Sequence, residues 1–122
     1  MGKKIFVIDD NSDIVEVTVA VLQLAKFDVT GFTSAKDVLE RLRNGDVPDL
    51  VITDMRMPEI GGSDFCRSVR ADLGLRDLKL VFFTASSDAN HALLEESQVL
   101  GFIFKPFDND DLVKQIDHYL SL

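Results

Sequence analysis

At 122 residues, 46% of them hydrophobic and 28% charged, the chain has the size and composition of one compact domain. That excludes a disordered tail, a collagen-like repeat and a coiled-coil rod. Thirteen basic against 21 acidic residues give a formal net charge of −8, which disfavours direct nucleic-acid binding and docking on anionic membranes.

Met1-Gly2-Lys3-Lys4 leads into an apolar run at 5–8 that stops at Asp9-Asp10, too short for a signal-peptide core. This run predicts a first strand. Residues 12–25 predict a helix whose apolar face is Ile14, Val17, Val21, Leu24 and Ala25. Its β-branched residues are poor helix formers, so packing must hold it, and Glu16, Thr18 and Gln23 keep it from spanning a bilayer. Asp28-Val29-Thr30-Gly31-Phe32 alternates and contains glycine, which places this second strand at a sheet edge. Ser34, with Asp37 three residues on, opens a second helix with an Ala35, Val38, Leu39 and Leu42 stripe, closed by Asn44-Gly45.

A third strand is predicted at 50–53. A helix follows Gly61-Gly62, with Phe65, Cys66 and Val69 on one side. The run at 78–83 predicts a fourth strand. A fourth helix is expected to open near Ser87-Asp88 and to carry Leu93, Leu94 and Val99. A short strand at 102–104 and a helix starting at Asp108, with Leu112, Val113, Ile116 and Leu120, complete the chain. Four of the five strands are nearly continuous apolar runs, as in strands buried on both faces. Strand–helix alternation with short connections implies one α/β domain over residues 1–122: a doubly wound parallel sheet with helices on both faces.

Ligands of such sheets bind beyond the carboxyl ends of the strands. There the sequence places Asp9-Asp10, Asp54, Thr84-Ala85 and Lys105-Pro106. Two carboxylates about 5 Å apart repel by roughly 3 kcal/mol at an effective dielectric of about 20. Lys105 alone offsets them locally, so the cluster calls for a cation. Oxygen-only ligands in a compact site fit Mg²⁺. A carboxylate there can attack phosphorus and form an aspartyl phosphate. A transferred phosphoryl group would find an ammonium at Lys105, a hydroxyl at Thr84 and backbone N–H groups around Met55 and Ala85. His91 and His118 fall on helices, away from these ends, and read as solvated. Sixteen of the 21 acids are Asp, which suits strand ends and cation sites. The single cysteine, Cys66, allows no internal disulfide and reads as a small buried side chain in a reducing, cytoplasmic compartment.

Together, Asp9-Asp10, Asp54-Met55-Arg56-Met57-Pro58-Glu59-Ile60-Gly61-Gly62, Thr84-Ala85 and Phe102-Ile103-Phe104-Lys105-Pro106-Phe107 resemble the receiver domain of two-component response regulators. The spacings are similar too: 44 residues from Asp10 to Asp54, 30 from Asp54 to Thr84 and 21 from Thr84 to Lys105. The resemblance covers essentially the whole chain. It implies the flavodoxin-like strand order 2-1-3-4-5 with five helices.

It further implies that Asp54 is the phosphoacceptor, served by a sensor histidine kinase or a phosphotransfer protein. Asp10 would ligate Mg²⁺ directly, Asp9 largely through water, alongside Asp54 and the backbone carbonyl of Arg56. Lys105, before a cis bond to Pro106, and Thr84 would contact the phosphoryl group. Thr84 and Phe102 would be switch residues that alter the face formed by helix four, strand five and helix five. The domain would be no enzyme in the usual sense, though it would assist its own phosphorylation and dephosphorylation.

Three positions depart from the common pattern. Arg56 could shield the phosphoryl group or pair with Glu59. Gly61 stands where an acid is frequent, and Phe102 lacks the tyrosine hydroxyl. Two other functions stay open at this point. An aspartate-nucleophile phosphatase would usually need a second Asp where Arg56 stands. A phosphorylation-independent interaction module would usually have lost acidic or lysine positions that this chain keeps. The signal would pass to a downstream protein target or an output domain outside this sequence, and a phosphorylation-dependent homodimer is compatible. A stand-alone domain and a piece of a longer protein fit the sequence equally.

Overall fold

Strands and helices alternate along the whole chain in a computed structural model that describes residues 2–85 and 89–122. The strands are β1 (Lys4–Ile8), β2 (Asp28–Phe32), β3 (Leu50–Asp54), β4 (Lys79–Thr84) and β5 (Phe102–Phe104). The helices are α1 (Ser12–Leu24), α2 (Ala35–Arg43), α3 (Gly62–Arg67), α4 (His91–Ser97) and α5 (Asn109–Leu120); α3 runs on into a π-helical turn at Ser68–Asp72. All strand pairs are parallel, in the order β2-β1-β3-β4-β5. This is the expected doubly wound sheet, with β2 at one edge.

Side-chain alternation along each strand splits the core in two. Phe6, Ile8, Val51, Leu80 and Phe82 face the α2 stripe and Phe65, Cys66 and Val69 of the α3 segment. Ile5, Val7, Leu50, Ile52, Val81, Phe83 and Ile103 face Leu22 of α1 and Leu112 and Ile116 of α5. Burying one such side chain stabilises the fold by about 1.5–3 kcal/mol, which offsets the weak helix propensity of α1.

The α2 stripe is buried as expected, and the Ser34 hydroxyl accepts from the Lys36 N–H at 3.3 Å to cap that helix. Beyond its end, Gly45 takes φ +89°, a left-handed conformation that glycine adopts without strain.

The expected face of α1 is corrected in part: Ile14 and Val21 pack against the core as expected. Val15, Thr18 and Leu22 are buried, whereas Val17 is 54% and Leu24 83% exposed. Valine and leucine occur on nearly every side of this helix, so periodicity could not single out a face. The sheet decides: a Cβ at Gly31 would lie 2.4 Å from Val15 Cγ1, so α1 rests directly on β2 through Val15.

The expected start of the fourth helix, Ser87-Asp88, lies outside the described residues. α4 is capped by Asn90, whose Oδ1 accepts from the Ala92 N–H at 3.0 Å. Val99 is buried just beyond the helix, after Gln98 reverses the chain at φ 55°. Asp108 is the N-cap of α5 rather than its first residue. No helix among the described residues is long and apolar enough to cross a membrane.

Candidate functional site

The strand register brings four chain segments to one end of the sheet. Ile8 pairs with Thr53, Asp54 with Phe83, and Thr84 with Phe104. Beyond Ile8, the Asp9 N–H donates to the Phe32 carbonyl at 3.1 Å, and Asp9 Oδ1 accepts from the Asn11 N–H at 3.0 Å. Asn11 in turn caps α1 by accepting from the Asp13 and Ile14 N–H groups. Asp9 is therefore buried and fixed from two sides, while Asp10 next to it is exposed.

Asp54 closes β3. Its Oδ1 accepts from the Met55 N–H at 2.8 Å and, at a long 3.5 Å, from the Arg56 N–H. The turn behind it depends on Gly62: a Cβ there would lie 2.5 Å from the Asp54 carbonyl oxygen and 2.9 Å from Met55 Cα. The Gly62 N–H donates to the Met55 carbonyl at 3.0 Å. The sequence marked Gly61-Gly62 only as the lead-in to a helix; that the second glycine lets the loop close against Asp54 is a tertiary fact.

Lys105 enters from β5, whose register is held by the Lys105 N–H donating to the Thr84 carbonyl at 2.8 Å. Its Nζ donates to Asp9 Oδ2 at 2.5 Å, lies 3.4 Å from Asp54 Oδ2 and sits 5.0 Å from the centre of the Phe83 ring. The Lys105–Pro106 bond is cis, as expected. One carboxylate oxygen from each of Asp9, Asp10 and Asp54 lies within 4.8 Å of the others. Burial raises the Asp54 carboxyl above its ordinary value and the Asp9 charge adds to this, against the attraction of Lys105.

The structure thus brings Asp9, Asp10, Asp54 and Lys105 together. Thr84 is buried at the adjoining strand end, its hydroxyl donating to the Ala85 carbonyl at 3.3 Å. Phe102 is buried in the core, its ring stacked 5.9 Å from Phe82 and 6.0 Å from Phe104. Phe104, two residues on along β5, is 45% exposed where Phe102 is buried. Glu59, offered above as a partner for Arg56, meets Lys36 at 2.9 Å. His118 is exposed, and Cys66 is buried, its thiol pushed up to about 12 by burial and so inert.

The donor set is chemically that of a small hard cation. All three groups are carboxylates; neighbouring ligands of an octahedral Mg²⁺ stand about 2.9 Å apart and opposite ones about 4.1 Å, so oxygens within 4.8 Å of one another must draw together or bind partly through water. Asp10 gives such an ion a path from solvent.

The response regulator receiver domain family matches residues 5–117. The DNA-binding response regulator MtrA of Mycobacterium tuberculosis is 33% identical over 117 residues, covering 95% of this chain and 50% of that protein. This chain therefore spans about half the length of that relative. The CAI-1 autoinducer sensor kinase/phosphatase CqsS of Vibrio cholerae is 28% identical over 116 residues, 93% of this chain and 17% of that one. Among solved structures, a response regulator receiver domain protein from Clostridium thermocellum superposes with a TM-score of 0.82 at 27% identity, covering 98% of this chain and 94% of that one. The Vibrio cholerae chemotaxis protein CheY4 gives 0.88 at 22% identity, over 98% and 99%, and supports the fold.

Proposed function

The chain belongs to the response regulator receiver domain family, and on that premise we propose that it is a phosphoacceptor switch in which Asp54 takes a phosphoryl group from a sensor histidine kinase or a phosphotransfer protein. One observation supports this above the others: Asp9, Asp10, Asp54 and Lys105, from three strands, converge on one spot at the strand ends.

An Asp54 carboxylate oxygen forms the new bond to phosphorus while the bond from phosphorus to the donor nitrogen breaks, and the electron pair stays with the donor. The hydrogen bond from Met55 N–H to Oδ1 orients the carboxyl and leaves Oδ2 toward Lys105 for the attack. Lys105, now paired with Asp9, is placed to turn its ammonium to a phosphoryl oxygen. Thr84 gives up its local bond to Ala85 to donate to another. Asp9, Asp10, Asp54 and the Arg56 carbonyl would hold Mg²⁺, which supplies charge neutralisation for the phosphoryl oxygens when bound. Hydrolysis by water restores Asp54. The domain thereby assists its own phosphorylation and dephosphorylation without a separate substrate.

Movement of Thr84 is transmitted to Phe102, which differs between its states by packing alone, and on to the face of α4, β5 and α5. That face would contact a downstream target, an output domain or a second phosphorylated copy. Exposed Val17 on α1, with Phe107 beside Ile14, offers the phosphodonor an apolar seat near Asp10. Residues 1–122 act here as one receiver domain in the cytoplasm.

Incubation with acetyl phosphate and Mg²⁺, followed by intact-mass measurement, tests the assignment. One phosphoryl increment is expected for the wild type and none for Asp54→Ala or for either protein in EDTA. An increment retained by Asp54→Ala refutes it.

A further inference from the structure

The segments that lead into β4 and β5, the strands carrying Thr84 and Lys105, meet on one guanidinium. α3 does not stop at Arg67. It widens into the π-helical turn at Ser68–Asp72, closed by the Leu73 N–H donating to the Ser68 carbonyl at 3.1 Å. Such a turn adds one residue to the helical register and re-aims the side chains on it. Here it carries Arg70. Arg70 Nη1 donates to the Leu75 carbonyl at 2.6 Å, in the loop before β4. Nη2 donates to the Gln98 carbonyl at 2.8 Å, at the trailing end of α4.

Gln98 is in the left-handed conformation. Its N–H donates to the Glu95 carbonyl at 3.3 Å, Val99 N–H to the Leu94 carbonyl at 2.9 Å, and Leu100 N–H to the Leu80 carbonyl at 2.9 Å. The end of α4 is therefore bonded to its own helix, to β4 and to α3 through Arg70. Arg70 Nε is buried with no hydrogen-bond partner among the described residues, so the guanidinium is seated for the two carbonyls rather than for full solvation. A planar fork reaches two carbonyls at once, which a lysine ammonium does less well. At the leading end of α4, Asn90 caps the helix and Ala89 beside it packs against the core.

We propose that Arg70 is a positioning residue that pins the trailing end of α4, so that a change at Asp54 moves this helix about Gln98 and reaches the surface through its first turn. The pivot rests on the phosphoacceptor reading above; the pinning does not.

Amide hydrogen exchange on the full metal-free chain tests the pin. Arg70→Met keeps the apolar stem and should speed exchange at Val99 and Leu100 by about tenfold while β1 and β3 amides keep their rates. Arg70→Lys should fall between, and serves if the methionine variant folds poorly. Amide chemical shifts with beryllofluoride and Mg²⁺ test the pivot. In the wild type, Asn90 and Ala92 should respond strongly and Val99 and Leu100 little; in Arg70→Met the response should spread to Val99 and Leu100.

Unchanged exchange at Val99 and Leu100 in both variants overturns the pin, as does acceleration spread evenly over the sheet. Equal wild-type response at both ends of α4 overturns the pivot. A wild type that shows no beryllofluoride response around Asp54 overturns the phosphoacceptor reading and the pivot with it, while the exchange rates still decide the pin.

Discussion

Replacing Asp54 by asparagine should stabilise the metal-free protein. Carboxylate oxygens of Asp9 and Asp10 lie within 4.8 Å of one on Asp54; at an effective dielectric of about 20, charges about 5 Å apart repel by about 3.5 kcal/mol, so the two together cost the Asp54 carboxylate about 7 kcal/mol. Lys105 at 3.4 Å returns about 5 kcal/mol, leaving about 2 kcal/mol unfavourable. Water reaches Asp10 and screens its share, so a gain of about 1 kcal/mol is expected for Asp54→Asn, or about 3–5 °C in Tm for a chain of this size. The amide oxygen can still accept from the Met55 N–H, so the turn keeps its bond.

The gain has a pH signature. The native Asp54 carboxyl lies above the ordinary value of 3.8, so the folded protein binds this proton more tightly than the unfolded chain. Wild-type stability is then lost as pH rises from 3.8 through the raised native value, and the advantage of asparagine grows over that same window. At neutral pH it is complete; below the ordinary value it is gone. Mg²⁺ reverses the ranking. At ten times its Kd, an ion bound to the wild type adds about 1.4 kcal/mol, which a site lacking one carboxylate does not match. Thermal unfolding of both proteins in EDTA and in Mg²⁺, across pH, checks this. An asparagine variant less stable than wild type in EDTA at neutral pH, or equally favoured at the acid limit of folding, refutes the electrostatic account.

Three further outcomes follow from packing. Gly62→Ala should cost about 1–3 kcal/mol in chemical denaturation, because its Cβ meets backbone at 2.5 Å rather than a yielding side chain. Thr18→Val should stabilise by about 1 kcal/mol, because the Thr18 hydroxyl is buried without a hydrogen-bond partner among the described residues and valine has the same shape. Leu22→Ala should cost about 2–5 kcal/mol, whereas Leu24→Ala should stay within about 0.5 kcal/mol; comparable losses would restore the α1 face expected from periodicity.

Much of this protein was legible in one dimension. Four of the five strands are nearly continuous runs of β-branched and aromatic residues, so they declare their burial on both faces without any partner in view. The Ala35, Val38, Leu39 and Leu42 stripe stands out because polar residues occupy the rest of α2. Asp9, Asp10, Asp54, Thr84 and Lys105 were found because each closes a strand or lies just beyond one, and parallel strands must deliver their ends to one side. What stayed hidden has no local signature. α1 is apolar around most of its circumference, so only contact with Gly31 and the sheet selects Val15, Thr18 and Leu22. The seat of Lys105 against Asp9 joins residues 96 apart, and Arg70 reaches Gln98 across 28. Periodicity records how a segment meets a surface in general. Which polar groups face each other across such separations depends on how twisted layers stack, and that is settled only when the chain has closed.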